Sequence, residues 1–405
     1  MKLEEMFATR ADRLKASEIR ELLKLLDQPD IISFAGGIPD PALFPAQAFQ
    51  AAYAQALDAE HQAKALQYSV SEGYLPLREW LAEHMAGIGV PCDVDNILIT
   101  SGSQQALDYL GKLMLSPGDT ALVNWPTYLG ALAAFNAYEP RFDRLDLGVN
   151  HGVSDYAERA EAAGGRVKFA YLSADFSNPT GETVDAAGRA RLLDMAETLD
   201  CAIIEDGAYQ ALRYDGEAIQ PILAMELAQK GDLEACRTIY CGSFSKTLSP
   251  GLRVGWIVAA KPVIAKLVLM KQAADLHSPT INQLAIHGVA EACFDRHVSN
   301  LRAAYSARRD AMLAALADHM PEGVEWTKPE GGMFVWITLP KGMDGAALLD
   351  RAIREERVAF VPGGAFFADG SGINTIRLSF SNSGEAAIVE GVSRLGAVLR
   401  RALSD

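Results

Sequence analysis

The chain has 405 residues, is 49% hydrophobic and carries a formal net charge of −15 at pH 7, enough for a large core and two domains. The acidic balance argues against nucleic acid or an anionic membrane as partner and favours small-molecule substrates. Five scattered cysteines without a Cys-x-x-Cys pair, no apolar leader after Met1 and no apolar run of membrane-spanning length point to a cytoplasmic protein.

No Walker A loop, His-Glu-x-x-His, Gly-x-Ser-x-Gly or paired metal-ligand spacing occurs, which removes the usual ATPase, hydrolase and zinc-enzyme classes and leaves no metal expected. The opening, Glu4 to Asp27, is polar with Ile19, Leu22, Leu23 and Leu26 at helical spacing, and Pro29 closes it. By pattern alone, Ser17 and Arg20 on that helix belong to a solvated turn. Ile32 to Asp40 is an apolar run that breaks into Gly36-Gly37 and Pro39, where backbone can approach a ligand closely. Gln67 to Arg78 is a loop entering a helix, with Tyr68 an ordinary partly buried aromatic.

Asn96 to Thr100 reads as a strand and Gln105 to Leu115 as a helix, leaving Ser101-Gly102-Ser103-Gln104 as the turn between them. Such a turn aims free N–H groups and the positive helix end at an anion, although small residues there are also good N-caps. The next strand, Thr120 to Trp125, ends in Tyr128, a planar ring placed either to lie against a flat heterocycle or to pack in the core. After the strand Arg166 to Ser173 comes Asn178-Pro179-Thr180-Gly181, a good turn for local reasons. The helix Ala187 to Leu199 leads to Cys201-Ala202-Ile203-Ile204-Glu205-Asp206, apolar residues running into acidic ones. Asp206 is either an exposed strand-end carboxylate or one held against a ring nitrogen to keep its proton on.

Thr238 to Cys241 and Val254 to Val258 read as strands, with Lys246 on the tight connection between them. Flanking hydroxyls at Ser243 and Ser245 and the cation of Arg253 suit a phosphate, and a protected lysine can lose its proton and attack a carbonyl. An aldehyde bearing a phosphate is pyridoxal 5′-phosphate. A helix from Pro262 to Ala274 follows, then Asp275-Leu276-His277-Ser278-Pro279, then a long charged helical pattern, Val298 to Leu316, as an arm to a second domain. Gly331 to Ile337, Val358 to Gly363 and Thr375 to Phe380 are three β-like runs. Arg377 sits inside the last of them, where a charge needs either an ion pair or a carboxylate ligand.

Several of these segments resemble those of class I/II (fold type I) pyridoxal-phosphate aminotransferases, and more narrowly the 2-aminoadipate aminotransferase branch, from about Arg10 to the last helix. The shared motifs are Ser243-x-Ser245-Lys246 with Gly251-x-Arg253-x-Gly255, Tyr68 with Gly73 and Leu77-Arg78, Asn178-Pro179-Thr180-Gly181, Asp206 with Tyr209, and Ile376-Arg377-Leu378-Ser379. Asp275 to Pro279 is similar to the branch's Asp-Leu-His-Thr-Pro, with Ser278 for the threonine. The resemblance implies that Lys246 is the catalytic residue and carries the cofactor, that Ser101, Gly102, Ser103, Gln104, Ser243, Ser245 and Arg253 hold its phosphate, and that Tyr128 stacks on its ring. It implies that Asn178 and Tyr209 contact the ring oxygen, that Asp206 holds the ring nitrogen, and that Tyr68 reaches the phosphate of a partner subunit in a homodimer. For substrate it implies Arg377 and Asn178 on the α-carboxylate beside Gly37, and Ser17 and Arg20 on a side-chain carboxylate.

The expected fold is therefore α/β: a large, mostly parallel seven-stranded sheet domain over 53–297, a small α+β domain over 298–405, and an N-terminal arm over 1–52 that joins the small domain. The expected activity moves an amino group from an L-amino acid, 2-aminoadipate- or glutamate-like and also aromatic or branched, to a 2-oxo acid such as 2-oxoglutarate. Two rivals share the cofactor residues: a β-eliminating lyase, and an aminotransferase-like effector-binding domain of a transcription regulator. The second normally follows a winged-helix domain, for which the roughly thirty residues before Gly36 leave no room.

Overall fold

The computed structural model describes residues 3–14, 30–147 and 152–404. Its strands, in chain order, are β1 (Ile32–Ser33), β2 (Ile97–Thr100), β3 (Thr120–Val123), β4 (Arg141–Arg144), β5 (Val167–Leu172), β6 (Ala202–Asp206), β7 (Thr238–Ser243), β8 (Gly255–Val258), β9 (Glu325–Trp326), β10 (Phe334–Thr338), β11 (Val358–Ala359), β12 (Val361–Pro362) and β13 (Thr375–Ser379). Seven of them form one sheet in the order β2-β8-β7-β6-β5-β3-β4. All its pairings are parallel except those of β8, which runs against both β2 and β7.

Every residue of β2, β3, β7 and β8 is buried. A parallel sheet covered by helices on both faces has no solvated side, which is why these strands read as continuous apolar runs and not as alternating ones. The helices Ser103–Met114, Leu129–Asn136 and Lys261–Ala274 pack on one face, and Val153–Ala162 and Ala186–Leu199 on the other. β4, at the sheet edge, has the sequence Arg-Phe-Asp-Arg and is partly exposed; charge there discourages pairing with another chain.

A second core gathers around the antiparallel sheet β12-β13-β10-β9 and the parallel pair β1-β11, with the helices Gly345–Glu356 and Glu385–Ser404 against it. The pairing of Ile32 with Val358 and Ser33 with Ala359 brings the N-terminal segment into this core. The expected arm from Val298 to Leu316 is the second half of a 40-residue helix, Thr280–His319. Its first half packs in the core beside the large sheet and its second half in the core beside the small one.

The helix expected from Glu4 to Asp27 is not continuous. Its described part forms two 3-10 turns, Leu3–Met6 and Thr9–Arg13. Tertiary contacts hold the second turn in place: Thr9 donates to Glu139, Arg13 donates to the carbonyl of Pro140, and Asn136 donates to the carbonyl of Arg13. Ser17 and Arg20 lie outside the described residues.

Candidate active site

Parallel strands carry their C-terminal ends to the same side of a sheet, and ligands of open α/β sheets bind there. A cavity of about 240 Å³ opens at that side. Tyr128 reaches it five residues after β3, Asn178 six residues after β5, Asp206 as the last residue of β6, and Ser243, Ser245 and Lys246 from the end of β7 and its turn. Gly37, Ser103, Gln104, Tyr209, Arg253 and Arg377 complete the part of its wall that the sequence singles out. Ser101, Gly102 and Tyr68 are not in that wall. The Ser101 hydroxyl is engaged by Asp275 and Ser278, and Tyr68 is 78% exposed with its ring edge-on to His277 at 6.1 Å.

The Lys246 amine donates to the carbonyl of Gly37 at 2.9 Å. Withdrawal from water, then the positive charges of Arg377 and Arg253, lower its pKa to about 8, against the opposing carboxylate of Asp206. An amine so placed supplies a substantial neutral fraction near physiological pH, which an ordinary lysine does not.

Asp206 is 5% exposed, accepting at Oδ2 from the Tyr171 hydroxyl at 2.9 Å and at Oδ1 from the amide of Ala208 at 3.2 Å. Burial raises its pKa, while the Tyr171 and Ala208 hydrogen bonds and the Lys246 charge pull it back. Each carboxylate oxygen keeps a free lone pair, so the group can still accept from a protonated ring nitrogen. Tyr171 and Ser173 also line the cavity. The sequence reading passes over both, because in an apolar β-strand an aromatic and a serine carry no signal of their own.

At the other end, Ser103 and Gln104 are the first two residues of their helix, not part of the turn before it, so their amides are unused helix-end donors. Gly102 precedes them at φ +80, and a Cβ there would stand 2.3 Å from the Arg253 guanidinium. Glycine is thus required twice, for the backbone angle and for the approach of the cation. Arg253 itself donates to the carbonyls of Pro250 and Ser101. Hydroxyls, helix-end amides and a guanidinium at one end of the cavity, with an amine and a buried carboxylate deeper in, fit the phosphate, aldehyde and ring nitrogen of pyridoxal 5′-phosphate.

Arg377 on β13 is 2% exposed and stacks over Phe334, 4.3 Å from the ring centroid. It donates to Asn178 Oδ1 at 2.7 Å and to the carbonyl of Ala35 at 2.8 Å, and among the described residues its buried Nε finds no partner. Among the described residues no carboxylate pairs with it, so its guanidinium is open to a carboxylate ligand. Burial brings its pKa to about 10, which leaves it charged at neutral pH.

The chain matches the family model for aminotransferase class I and II over residues 29–395. It is 45% identical to the 2-aminoadipate transaminase of Thermus thermophilus over 99% of this chain and 98% of that protein. To the aromatic-amino-acid aminotransferase 1 of Thermococcus litoralis it is 44% identical, over 98% and 94% of the two chains. The crystal structure of the α-aminoadipate aminotransferase of Thermus thermophilus, complexed with N-(5′-phosphopyridoxyl)-L-leucine, superposes with a TM-score of 0.88 at 42% identity, each chain covered in full. Fold, cavity and end-to-end similarity agree: the chain belongs to the class I and II aminotransferases.

Proposed function

We propose that this pyridoxal-phosphate-dependent aminotransferase takes the amino group of an acidic or long-chain L-amino acid, such as 2-aminoadipate or glutamate, and also of aromatic or branched ones, and passes it to a 2-oxo acid such as 2-oxoglutarate. The observation that carries this is the meeting, in one cavity, of an amine with a lowered pKa, a buried carboxylate and a buried guanidinium. Bound pyridoxal 5′-phosphate supplies an electron sink for the carbanion left when the substrate loses its α-proton. Lys246 would hold the cofactor through its aldehyde and, once free as a neutral amine, would act as the base that takes the substrate's α-proton. Asp206, held by Tyr171 and the Ala208 amide, keeps the ring nitrogen protonated. Arg377 and Asn178 would orient the α-carboxylate beside Gly37, while Ser103, Gln104, Ser243, Ser245 and Arg253 would grip the phosphate, with Ser101 and Gly102 behind them setting the direction of the helix-end amides. Tyr128 would hold the ring by stacking and Tyr209 would donate to its oxygen, both being cavity-lining residues.

Breadth toward acidic, aromatic and branched donors is supported by the names of the two relatives and by the leucine adduct of the solved neighbour. Acid selectivity rests on Ser17 and Arg20. A panel of donors and 2-oxo acids, scored by product, tests the assignment: Arg20→Ala should lower kcat/KM for 2-aminoadipate and spare leucine, and equal loss on both would reject the pair.

The working unit in this proposal is a homodimer with shared sites, in the cytoplasm. Support comes from exposed Leu66, Tyr68, Val70 and Leu276, and from an open apolar hollow of about 560 Å³ lined by Phe44, Phe49, Tyr53 and Leu252. Removing Tyr68's ring should weaken phosphate binding only in the dimer, which mixed dimers with one inactive subunit would reveal. The domain division at 52/53 and 297/298 remains part of the proposal, with the helix Thr280–His319 crossing the second boundary. Among the described residues no helix is long and apolar enough to cross a membrane.

A further inference from the structure

Lys271 belongs to the helix Lys261–Ala274, is fully buried and does not line the cavity. A buried ammonium is costly unless its hydrogens find acceptors. Its amine donates to Gln105 Oε1 at 2.9 Å and to the two carboxylate oxygens of Asp275 at 3.0 and 3.1 Å.

Those two acceptors lead to one place. Gln105 Oε1 also accepts from the backbone amide of Ser101 at 2.8 Å, and Gln105 Nε2 donates to Asp275 Oδ2 at 2.8 Å. Asp275 accepts further from the hydroxyls of Ser101 and Tyr109, each at 3.3 Å. Ser278, just beyond, shares a hydrogen bond between hydroxyls with Ser101 at 3.1 Å. The amide and the hydroxyl of Ser101 are thus both taken by the Lys271 network, and its carbonyl by Arg253. Ser101 in turn fixes the direction of Gly102 and of the amides at Ser103 and Gln104.

We propose that Lys271 is a positioning residue for the cofactor phosphate, acting through Gln105 and Asp275 to lock Ser101 and so to hold the helix-end amides where a phosphate meets them. It has a second task by the same contacts. Asp275 is a carboxylate bonded directly to the cradle serine, and without the ammonium it would stand near the phosphate as an uncompensated negative charge. This rests on the assignment of Ser101 to Gln104 and Arg253 as the phosphate cradle.

The test compares pyridoxal 5′-phosphate with pyridoxal, which has the same ring and aldehyde and no phosphate, by absorbance titration of the full-length apo chain. Lys271→Met should weaken the phosphorylated ligand about tenfold or more, the scale of one charge-assisted hydrogen bond, and leave pyridoxal unchanged. Lys271→Gln, which keeps a donor on a side chain one atom shorter, should show a smaller loss of the same selectivity and serves if the methionine variant does not fold. A parallel loss of both ligands, or no loss of either, overturns the proposal when Arg253→Met still weakens the phosphorylated ligand selectively. If Arg253→Met shows no selectivity either, the cradle assignment falls, and this proposal with it.

Discussion

Lys246 donates its 2.9 Å hydrogen bond to the carbonyl of Gly37, a neutral acceptor, while the full negative charge in the cavity belongs to Asp206. Burial and the charges of Arg377 and Arg253 therefore prevail over Asp206, and the amine pKa falls from 10.5 to about 8. Capture of the cofactor aldehyde needs the neutral amine, so its rate in the apo chain should rise as pH passes through about 8. Stopped-flow absorbance across pH 6 to 11 measures this, and a midpoint near 10.5 would contradict the lowered pKa.

The same shift acts on stability. The folded pKa lies below the unfolded one, so between pH 8 and 10.5 the unfolded chain binds more protons. The penalty from burying the ammonium is full below pH 8 and is relieved as pH rises to 10.5. Apo Lys246→Met should therefore exceed apo wild type in stability at pH 7 by on the order of 1–3 kcal/mol, and the gap should close toward pH 10.5. Denaturant melts at the two pH values read it directly. The variant should also lack the visible band of lysine-bound cofactor and all half-reaction turnover.

Tyr171→Phe removes the hydroxyl that donates to Asp206 Oδ2. Loss of a hydrogen bond to the charged form raises a carboxyl pKa, so the acid limb of the kcat profile should move to higher pH, with kcat at neutral pH down about tenfold. Asp206→Asn should cost more, on the order of 10²–10³ in kcat with little change in KM, because it removes the charge itself. Steady-state kinetics over pH separates the two.

Arg377→Lys retains charge but loses the planar fork that now spans Asn178 and Ala35. The amino-acid KM should rise on the order of 10²-fold, with cofactor affinity unaffected. An equal loss of cofactor binding would mean that Arg377 mainly holds the cavity together.

Gly102→Ala places a methyl 2.3 Å from the Arg253 guanidinium at a backbone φ of +80. The cation must withdraw, and cofactor affinity should fall while the unfolding free energy of the apo chain drops by only the backbone penalty, on the order of 1–3 kcal/mol. Equilibrium dialysis and differential scanning calorimetry check the two halves.

The strand-end residues are legible in sequence because each follows an apolar run and precedes a turn. Asp206 after Ile203-Ile204-Glu205 and Lys246 between two strands announce themselves by position. Tyr171 and Lys271 do not. Their partners lie 35 and 166 residues away in Asp206 and Gln105, and a tyrosine in a strand or a lysine in a helix is unremarkable until the fold supplies the neighbour. The full length of one helix is hidden for a similar reason: the buried stripe of the 40-residue Thr280–His319 includes Gln283, His297 and Arg309, polar residues that interrupt the apolar pattern and find partners such as the amide of Tyr74 and the carboxylate of Asp215 only in the fold. At the N-terminus, contacts to Glu139 and Pro140 hold Thr9 and Arg13 in a 3-10 turn that the local pattern does not announce.

β1 pairs with β11, so Ile32 meets Val358 from the opposite end of the chain, and Phe34 bridges Ala359 and Ser379 through backbone hydrogen bonds. Ala35 and Gly37, whose carbonyls receive Arg377 and Lys246, are positioned by that closure. On the ribosome the amine emerges more than a hundred residues before the last strands exist, so the nascent polypeptide carries its reactive nitrogen in an unroofed trough. Only when β11 and β13 have been made can Ile32 to Phe34 dock, and with them the carbonyls of Ala35 and Gly37 that cover it.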